Sequence, residues 1–557
     1  MSERIFIGVA WPYANSRLHL GHVAGAYLPA DIFARYHRMK GNEVLMVSGS
    51  DIHGTPVAIR AEQEGKTPAE IAQHFHELFQ EDWEKLGISW DLFTTTGTEN
   101  HTRIAQDFFL NLLDLGYIYR QTVTQPYCEK CRRYLPDRYV EGTCPLCQSP
   151  GARGDQCEQC GKPMNPSELV QARCKLCSTT PVYHESEHFF LKLSFFQEQL
   201  LSWVKDKGYW RPDVQRFTRR YLEEGLLDRA ITRDIDWGIP LPIPNYPGKS
   251  LYVWFEAVIG YLSASIEWAE KQGTPFAWRS FWHDKDTKSY YFIGKDNIPF
   301  HTIVWPAMLM GYGGLRLPDD VPANEFLTIE SQKFSKSRNL AIWVHDFLSR
   351  YDADSLRYLL SANMPENSDT DFSWREFVRR NNDELVATYG NLAQRVLSFA
   401  YTRFGGVVPT PGAIDSAGEA LLAKAAATIK TTDDLLAGCH FKDTIKEAMA
   451  LAQAANRYLD DKAPWKAIKE DPASAATTIY TALGAISALK TIFTPFLPQS
   501  SQRLHEFLGF TGSAAQAGWQ LVMPTADQAL QQPQALFTKL DESVVADEQE
   551  RMGLNGT

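Results

Sequence analysis

Near the start of the chain the spacing of apolar positions changes twice. Ile5 to Trp11 is a run of β-branched and aromatic residues that Pro12 ends, which predicts a short strand. From Leu18 to Met39 the stretch LHLGHVAGAYLPADIFARYHRM places apolar residues at helical spacing. GNEVLMVSGSDIHGTP then reads as a second apolar strand ending in a loop of Gly, Ser and Asp. Strand, helix and strand in this order predict a βαβ unit, whose ordinary setting is a parallel sheet. Ligands of such sheets sit beyond the carboxyl ends of the strands. PYANSRLHLGH and SGSDIHG both fall there.

The alternation is lost from about Gly116 to Arg229 and resumes at SYYFIGKDNIPFHTIVWPAMLM. An insertion between two halves of one sheet accounts for a pattern that disappears and returns. Beyond Ser373, Ala- and Leu-rich helical periods such as DELVATYGNLAQRVLSFAYTRF and DTIKEAMALAQAANRYLDD predict a helical bundle. The expected class is α/β: a Rossmann-like parallel-sheet domain made of residues 1–115 and 230–325, split by an insertion at 116–229. Residues 326–385 follow as a connecting region, and 386–557 form an α-helical domain. Length agrees, since 557 residues exceed what one core organises.

Composition is that of an ordinary folded protein, 44% hydrophobic and 22% charged. RIFIGVAW is too short for a signal-peptide core, and no small-residue cleavage site follows it. The longest charge-free run, Pro472 to Leu489, is rich in Ser, Thr and Ala, which suits a packed helix better than a membrane span. A soluble, cytoplasmic protein with no membrane partner is expected. The net charge of −11 argues against a broad electrostatic attraction to nucleic acid, and hence against DNA. Any RNA must be read on a local basic surface, by shape and by stacking.

Eight of the nine cysteines form four C-x2-C pairs: Cys128/Cys131, Cys144/Cys147, Cys157/Cys160 and Cys174/Cys177, separated by 12, 9 and 13 residues. A C-x2-C turn aims two thiolates at one point, and two such turns complete a tetrahedral zinc site. Eight cysteines make two sites. The short middle gap favours an inner set of Cys144, Cys147, Cys157 and Cys160 nested within an outer set of Cys128, Cys131, Cys174 and Cys177; sequential pairing is the alternative. With four sulfurs per Zn2+ no coordination position is open, so the role is structural.

Two short polar motifs remain. His19 and His22 of HLGH share one helix face, and Lys333 and Lys336 of ESQKFSKSRNL flank Phe334 and Ser335 in a polar loop. Each alone is ordinary surface chemistry. Together they resemble the HIGH and KMSKS signatures of class I aminoacyl-tRNA synthetases, in the family's order and on the expected sides of an insertion. Leu20 replaces Ile and Phe334 replaces Met, and neither change touches the polar chemistry. WPYAN, SGSDIHGTP, YVWFEAVIGY, FIGKDNIPFH and the C-x2-C block bring the resemblance closest to the methionyl-tRNA synthetases, over nearly the whole chain. The relatives that activate leucine, isoleucine and valine carry a far larger insertion at this place.

The resemblance implies an ATP-dependent methionine–tRNA ligase that forms methionyl-adenylate and pyrophosphate, then charges the terminal ribose of tRNA(Met). His19, His22, Lys333 and Lys336 would be catalytic, and Gly21, Lys295, Asp296 and Ser335 would join them around ATP, which Mg2+ accompanies. A helix N-terminus suits an anion, and the lysines would neutralise charge as pyrophosphate leaves. Trp11, Tyr13, Asp51, Trp254, Ala257, Val258, Tyr261 and His301 would form the methionine pocket. In it Asp51 would take the ammonium, with Tyr13 and His301 as donors near the sulfur, which is a weak acceptor on a polarizable chain. Val258 stands where some members have proline. ITRDIDWGIPLP resembles another active-site segment and makes Arg233 a phosphate contact. Residues 326–385 would carry the lysine loop and meet the tRNA stem, while Asn391, Arg395 and Trp465 would read the CAU anticodon by stacking and base-edge contacts. A further C-terminal domain for dimerisation is common in the family; for this length of chain a monomer is expected.

Overall fold

The computed structural model describes residues 2–154, 157, 159–160, 164–330 and 341–553. At its centre lie five parallel strands: β1 (Arg4–Val9), β2 (Glu43–Ser50), β3 (Leu92–Thr95), β4 (Lys288–Gly294) and β5 (Ala323–Asn324). Their order is β5-β4-β1-β2-β3. Ile7 stands between Met46 and Tyr290, which fixes the register of the three middle strands. β1 and β2 are buried over nearly all their length. That is why they read as apolar runs with little alternation: a parallel sheet is covered on both faces.

The order reverses at β1. From β1 the chain moves outward through β2 to β3, and much later it returns to place β4 on the other side. In open parallel sheets the ligand crevice opens at such a reversal, beyond the carboxyl ends of the strands. Here Ala10 to Tyr13 and Gly294 to Asn297 form its two lips, joined where the Ala10 N–H donates to the Phe292 carbonyl at 3.0 Å.

Between β3 and β4 the chain builds a separate, antiparallel unit. Strands Ile118–Cys128 and Val182–Leu191 pair from Ile118 opposite Leu191 to Tyr127 opposite Val182. Beyond this ladder, the short strands Val140–Thr143, Ala152–Arg153 and Val170–Cys174 surround a second apolar cluster that includes Leu135, Tyr139, Val140 and Met164. So small a core is too little to hold a domain unaided. The cysteines supply the rest.

Helices Asn391–Arg403, Ser416–Ala437, Phe441–Lys462, Pro472–Phe493 and Pro498–Phe507 form the bundle. Pro472–Phe493 is apolar and long enough to cross a membrane, yet 94% of its apolar stretch is buried among the other helices, so its composition belongs to a bundle core. One wholly buried ion pair joins bundle and sheet domain. Arg357 donates to Asp31 at 2.7 Å and to the carbonyls of Pro495 and Phe496 at 2.8 and 2.7 Å. Burial alone would raise the Asp31 carboxyl, but Arg35, Arg357 and Ser89 outweigh it and hold it far below the usual range.

The helical reading of 386–557 omits one feature. After Phe507 the chain runs to Glu542 without a regular helix or strand and straps the two large domains together. The Trp519 N–H reaches the Met39 carbonyl at 3.0 Å, the Leu530 N–H reaches Gly406 at 2.8 Å, and the Leu540 N–H reaches the Asn382 side chain at 2.9 Å. Helix Ser543–Arg551 then docks Glu548 on Arg350 and Tyr351.

Candidate active site

His19 caps the helix that starts at Leu20–His22 and continues, after a π-helical turn at Val23–Tyr27, as Leu28–Met39. Its backbone N–H donates to His22 Nδ1 at 3.1 Å. That bond leaves the His22 proton on Nε2 and holds the two rings 3.7 Å apart. The same backbone is stitched to the chain that follows the lysine motif: Leu20 N–H donates to Ile342 O at 3.1 Å, and Val344 N–H to Leu18 O at 2.9 Å. Lys333, Ser335 and Lys336 lie outside the described residues. HLGH is thus joined by backbone hydrogen bonds to Ile342 and Val344, which follow the undescribed residues 331–340.

A second group lines the reversal point from helix Val253–Lys271. Gly49 and Gly260 leave room for the Trp11 indole: a Cβ at Gly49 would overlap it, and one at Gly260 would come within 2.7 Å. Trp254 stacks on Phe300 at 4.1 Å and meets Tyr13 edge-on at 6.1 Å. Ala257 and Val258 are buried on the same helix. Tyr261 and His301 meet at 2.7 Å, and His301 Nδ1 lies 2.9 Å from the Asn297 carbonyl. Burial lowers the His301 imidazole to about 4, so it is neutral. Its one proton then goes to Asn297, and Nε2 accepts from the Tyr261 hydroxyl. In this arrangement His301 does not donate toward a sulfur; it fixes the direction of Tyr261.

Asp51 sits where β2 ends, its backbone knitted to the opposite lip by Asp51 N–H to Pro12 O and Ala14 N–H to Asp51 O, both 2.9 Å. Its Oδ1 is buried and has no hydrogen-bond partner among the described residues. Burial and the neighbouring Glu256 push the carboxyl well above the ordinary range. Sequence reading missed the group behind it. Glu256, wholly buried, meets His53 Nδ1 at 2.8 Å and His101 Nε2 at 2.6 Å. A glutamate on the apolar face of YVWFEAVIGY was the available signal; His101 in an ordinary amphipathic helix gave none.

Other expected contacts are engaged elsewhere. Lys295 Nζ lies 2.6 Å from Glu325 and 2.7 Å from Asp369, over the Phe326 ring. Asp296 is beside it in the turn Lys295–Asn297. Arg233 is bound to Asp137 of the insertion at 2.8 Å and stacks on Tyr252 at 3.7 Å, so it ties the insertion to the sheet domain.

The cysteines fall into the nested sets. Cys128, Cys131, Cys174 and Cys177 form one and Cys144, Cys147, Cys157 and Cys160 the other, with all sulfurs of a set within 4.8 Å of one another. Sulfur separations of 3.5, 3.9 and 3.6 Å match the roughly 3.8 Å edge of a tetrahedron with ~2.3 Å metal–sulfur bonds. Arg132, Gln148 and Ser178, each just after the second cysteine of a pair, have positive φ, which turns the chain back toward the metal position. The residues fit four-sulfur metal sites. In the bundle, Asn391 and Arg395 lie exposed on one helix, with the Arg395 guanidinium 5.0 Å from the Trp465 ring and paired to Asp460 at 3.1 Å.

A crevice at the reversal of a parallel sheet and a histidine pair at a helix start, with an insertion that carries two four-cysteine sets, are the features of a class I aminoacyl-tRNA synthetase, and residues 5–397 match the family model for tRNA synthetases class I (M). Residues 408–556 match the anticodon binding domain of methionyl tRNA ligase. Curated methionine–tRNA ligases from Dehalococcoides mccartyi and Thermomicrobium roseum are 66% and 52% identical, the first covering 100% and the second 99% of both chains. A crystal structure of Mycobacterium tuberculosis methionyl-tRNA synthetase bound by methionyl-adenylate superposes with a TM-score of 0.79 at 25% identity, over 97% of this chain and 100% of that one. The chain belongs to the methionyl-tRNA synthetase family.

Proposed function

We propose that the chain activates L-methionine with ATP and transfers the methionyl group to the terminal ribose of tRNA(Met), in the cytoplasm and as a monomer. The observation that carries the reading is the convergence at one crevice: HLGH stitched to the backbone at Ile342 and Val344, beside an aromatic pocket of Trp11, Tyr13, Trp254 and Tyr261 where a buried Asp51 oxygen has no partner among the described residues. The domain limits expected from sequence assign 1–115 and 230–325 to catalysis, 116–229 to metal-held support, 326–385 to the lysine loop and stem contact, and 386–557 to the anticodon.

In adenylate formation the methionine carboxylate attacks the α-phosphate of ATP in line, and pyrophosphate leaves. No covalent enzyme intermediate is needed; alignment and charge stabilisation supply the rate. His19 and His22 donate to phosphate oxygens at the helix start, where backbone N–H groups also point at the anion. Gly21 allows close approach of the nucleotide, and Lys333, Ser335 and Lys336 hold the leaving pyrophosphate. Asp51 takes the ammonium, while Trp11, Tyr13, Trp254, Ala257, Val258 and Tyr261 enclose the thioether chain. Lys295 and Asp296 meet the nucleotide, Lys295 by exchanging its carboxylate partners. Mg2+ would come with ATP and offset phosphate charge, and the two cysteine sets would hold zinc that keeps the insertion in shape. Asn391, Arg395 and Trp465 contact the anticodon.

ATP–pyrophosphate exchange without tRNA, tried with methionine, leucine, isoleucine, valine and cysteine, tests the assignment. Exchange with methionine alone is expected. Exchange driven by another of the five overturns the pocket, and none from zinc-replete folded protein overturns the chemistry.

A further inference from the structure

Asp51, where β2 ends, and Glu256, which is hydrogen-bonded at 2.8 Å to His53 two residues further along the same loop, are both buried carboxylates, and they are treated differently. Glu256, in the first turn of helix Val253–Lys271, is bound through both oxygens by imidazoles from two other elements. His53 comes from the loop after β2. His101 comes from helix Glu99–Asp114, and its other nitrogen is 2.8 Å from Ser263 Oγ, which donates to the Gly260 carbonyl. Gly260 is the residue that makes room for Trp11. Asp51, by contrast, keeps a buried oxygen without a partner among the described residues. The groups that act on it are Glu256 from the helix, the His53 N–H from its own loop, and Arg138 from the insertion.

We propose that Glu256, clamped by His53 and His101, is a positioning residue that keeps Asp51 poised to give up a proton when the α-ammonium of the substrate amino acid docks. A fixed negative charge beside a second buried carboxyl disfavours ionisation of that second group. In the empty pocket Asp51 therefore holds its proton at higher pH than an ordinary carboxyl would. When the ammonium arrives, the Asp51 O–H bond breaks, the proton leaves to solvent, and the carboxylate pairs with the cation. The ammonium and the Asp51 carboxylate then neutralise each other in the pocket. The clamp also links ammonium recognition to the Trp11 wall, because Glu256, His101, Ser263 and Gly260 form one chain of contacts from Asp51's neighbour to the indole's seat.

The inference rests on Asp51 as the ammonium partner, and the test separates the two. Methionine KM and kcat are measured in ATP–pyrophosphate exchange from about pH 6 to about pH 9 for wild type, Glu256→Gln, Glu256→Asp and Asp51→Asn, with melting curves for folding. In wild type KM rises on the acid side as Asp51 takes its proton. Glu256→Gln removes the neighbouring charge, so this limb is expected to move to lower pH by about one unit or more, in KM rather than kcat; Glu256→Asp keeps the charge and keeps the limb in place. A limb that stays put in Glu256→Gln, while Asp51→Asn raises KM, overturns the role of Glu256 alone. An unchanged KM in Asp51→Asn overturns the ammonium assignment and the proposal with it. Wild-type protein gives a further test that no folding defect can obscure: calorimetric titration with L-methionine at about pH 6, in two buffers of different ionisation heat, is expected to show proton release. No release contradicts the proposal.

Discussion

The crevice and the face proposed to read the anticodon hold their side chains in opposite ways. Asp51, Glu256, His101 and His301 are at most 3% exposed, and all but the one Asp51 oxygen are tied to named partners. Arg395 and Trp465 are 44% and 40% exposed, and Arg395 is balanced only by a still more exposed Asp460. Holding the ammonium of a small substrate needs polar groups already in place and shielded from water. Reading an unpaired base needs open flat surfaces and donors that can adjust. On the proposed assignment, one chain meets both needs by putting the first beyond the carboxyl ends of its central strands and the second on helix surfaces.

The largest expected effect comes from the joint that holds the two regions in fixed relation. Arg357→Leu leaves Asp31 as a buried charge that has only Arg35 and Ser89, and should cost about 3–5 kcal/mol in denaturant unfolding. A loss below 1 kcal/mol would mean that the domains are held by the C-terminal strap instead. Next, Trp465→Ala should lower kcat/KM for tRNA charging by about 5- to 150-fold, the worth of one stacked base at ~1–3 kcal/mol, whereas exchange without RNA stays within about twofold.

Lys490 sharpens the contrast from inside the bundle. It is fully buried, has only His505 and the Phe510 ring near its amine, and burial lowers it to about 8. Below that pH the folded state carries a buried cation, so stability should rise with pH from about 8 to about 10.4, where the unfolded lysine also loses its proton. Lys490→Met should remove that slope and stabilise the protein at neutral pH by about 1–3 kcal/mol. The smallest effect is at the RNA face: Asp460→Ala should change stability by less than about 1 kcal/mol, as exposed pairs do. A larger loss would show that this surface is built like the crevice.

Much of this was legible in the residues because it depends on local rules. Parallel strands announce themselves as apolar runs, C-x2-C spacing specifies metal turns, and the nested pairing followed from the short middle gap. The apolar helix Pro472–Phe493 could be read as bundle core for its Ser, Thr and Ala content. What escaped depends on groups that meet only in three dimensions. His53, His101 and Glu256 come from three separate elements, and no spacing in sequence brings them together. Nor does any motif show that Arg233 pairs with Asp137 of the insertion, or that Lys295 pairs with Glu325 and Asp369. The strap from Leu508 to Glu542 has no period to detect, since its order comes from scattered backbone bonds to other domains.

The measurement that tests the account most directly compares both half-reactions in two variants, His22→Ala and Trp465→Ala: ATP–pyrophosphate exchange with methionine, and charging of tRNA(Met). His22→Ala is expected to lower exchange by about 100-fold or more, as loss of one positioned donor does, and to lower charging with it. Trp465→Ala should lower charging alone. Full exchange in His22→Ala, or exchange lost in Trp465→Ala, would contradict the division between a chemical crevice at the sheet and an exposed reading face on the bundle.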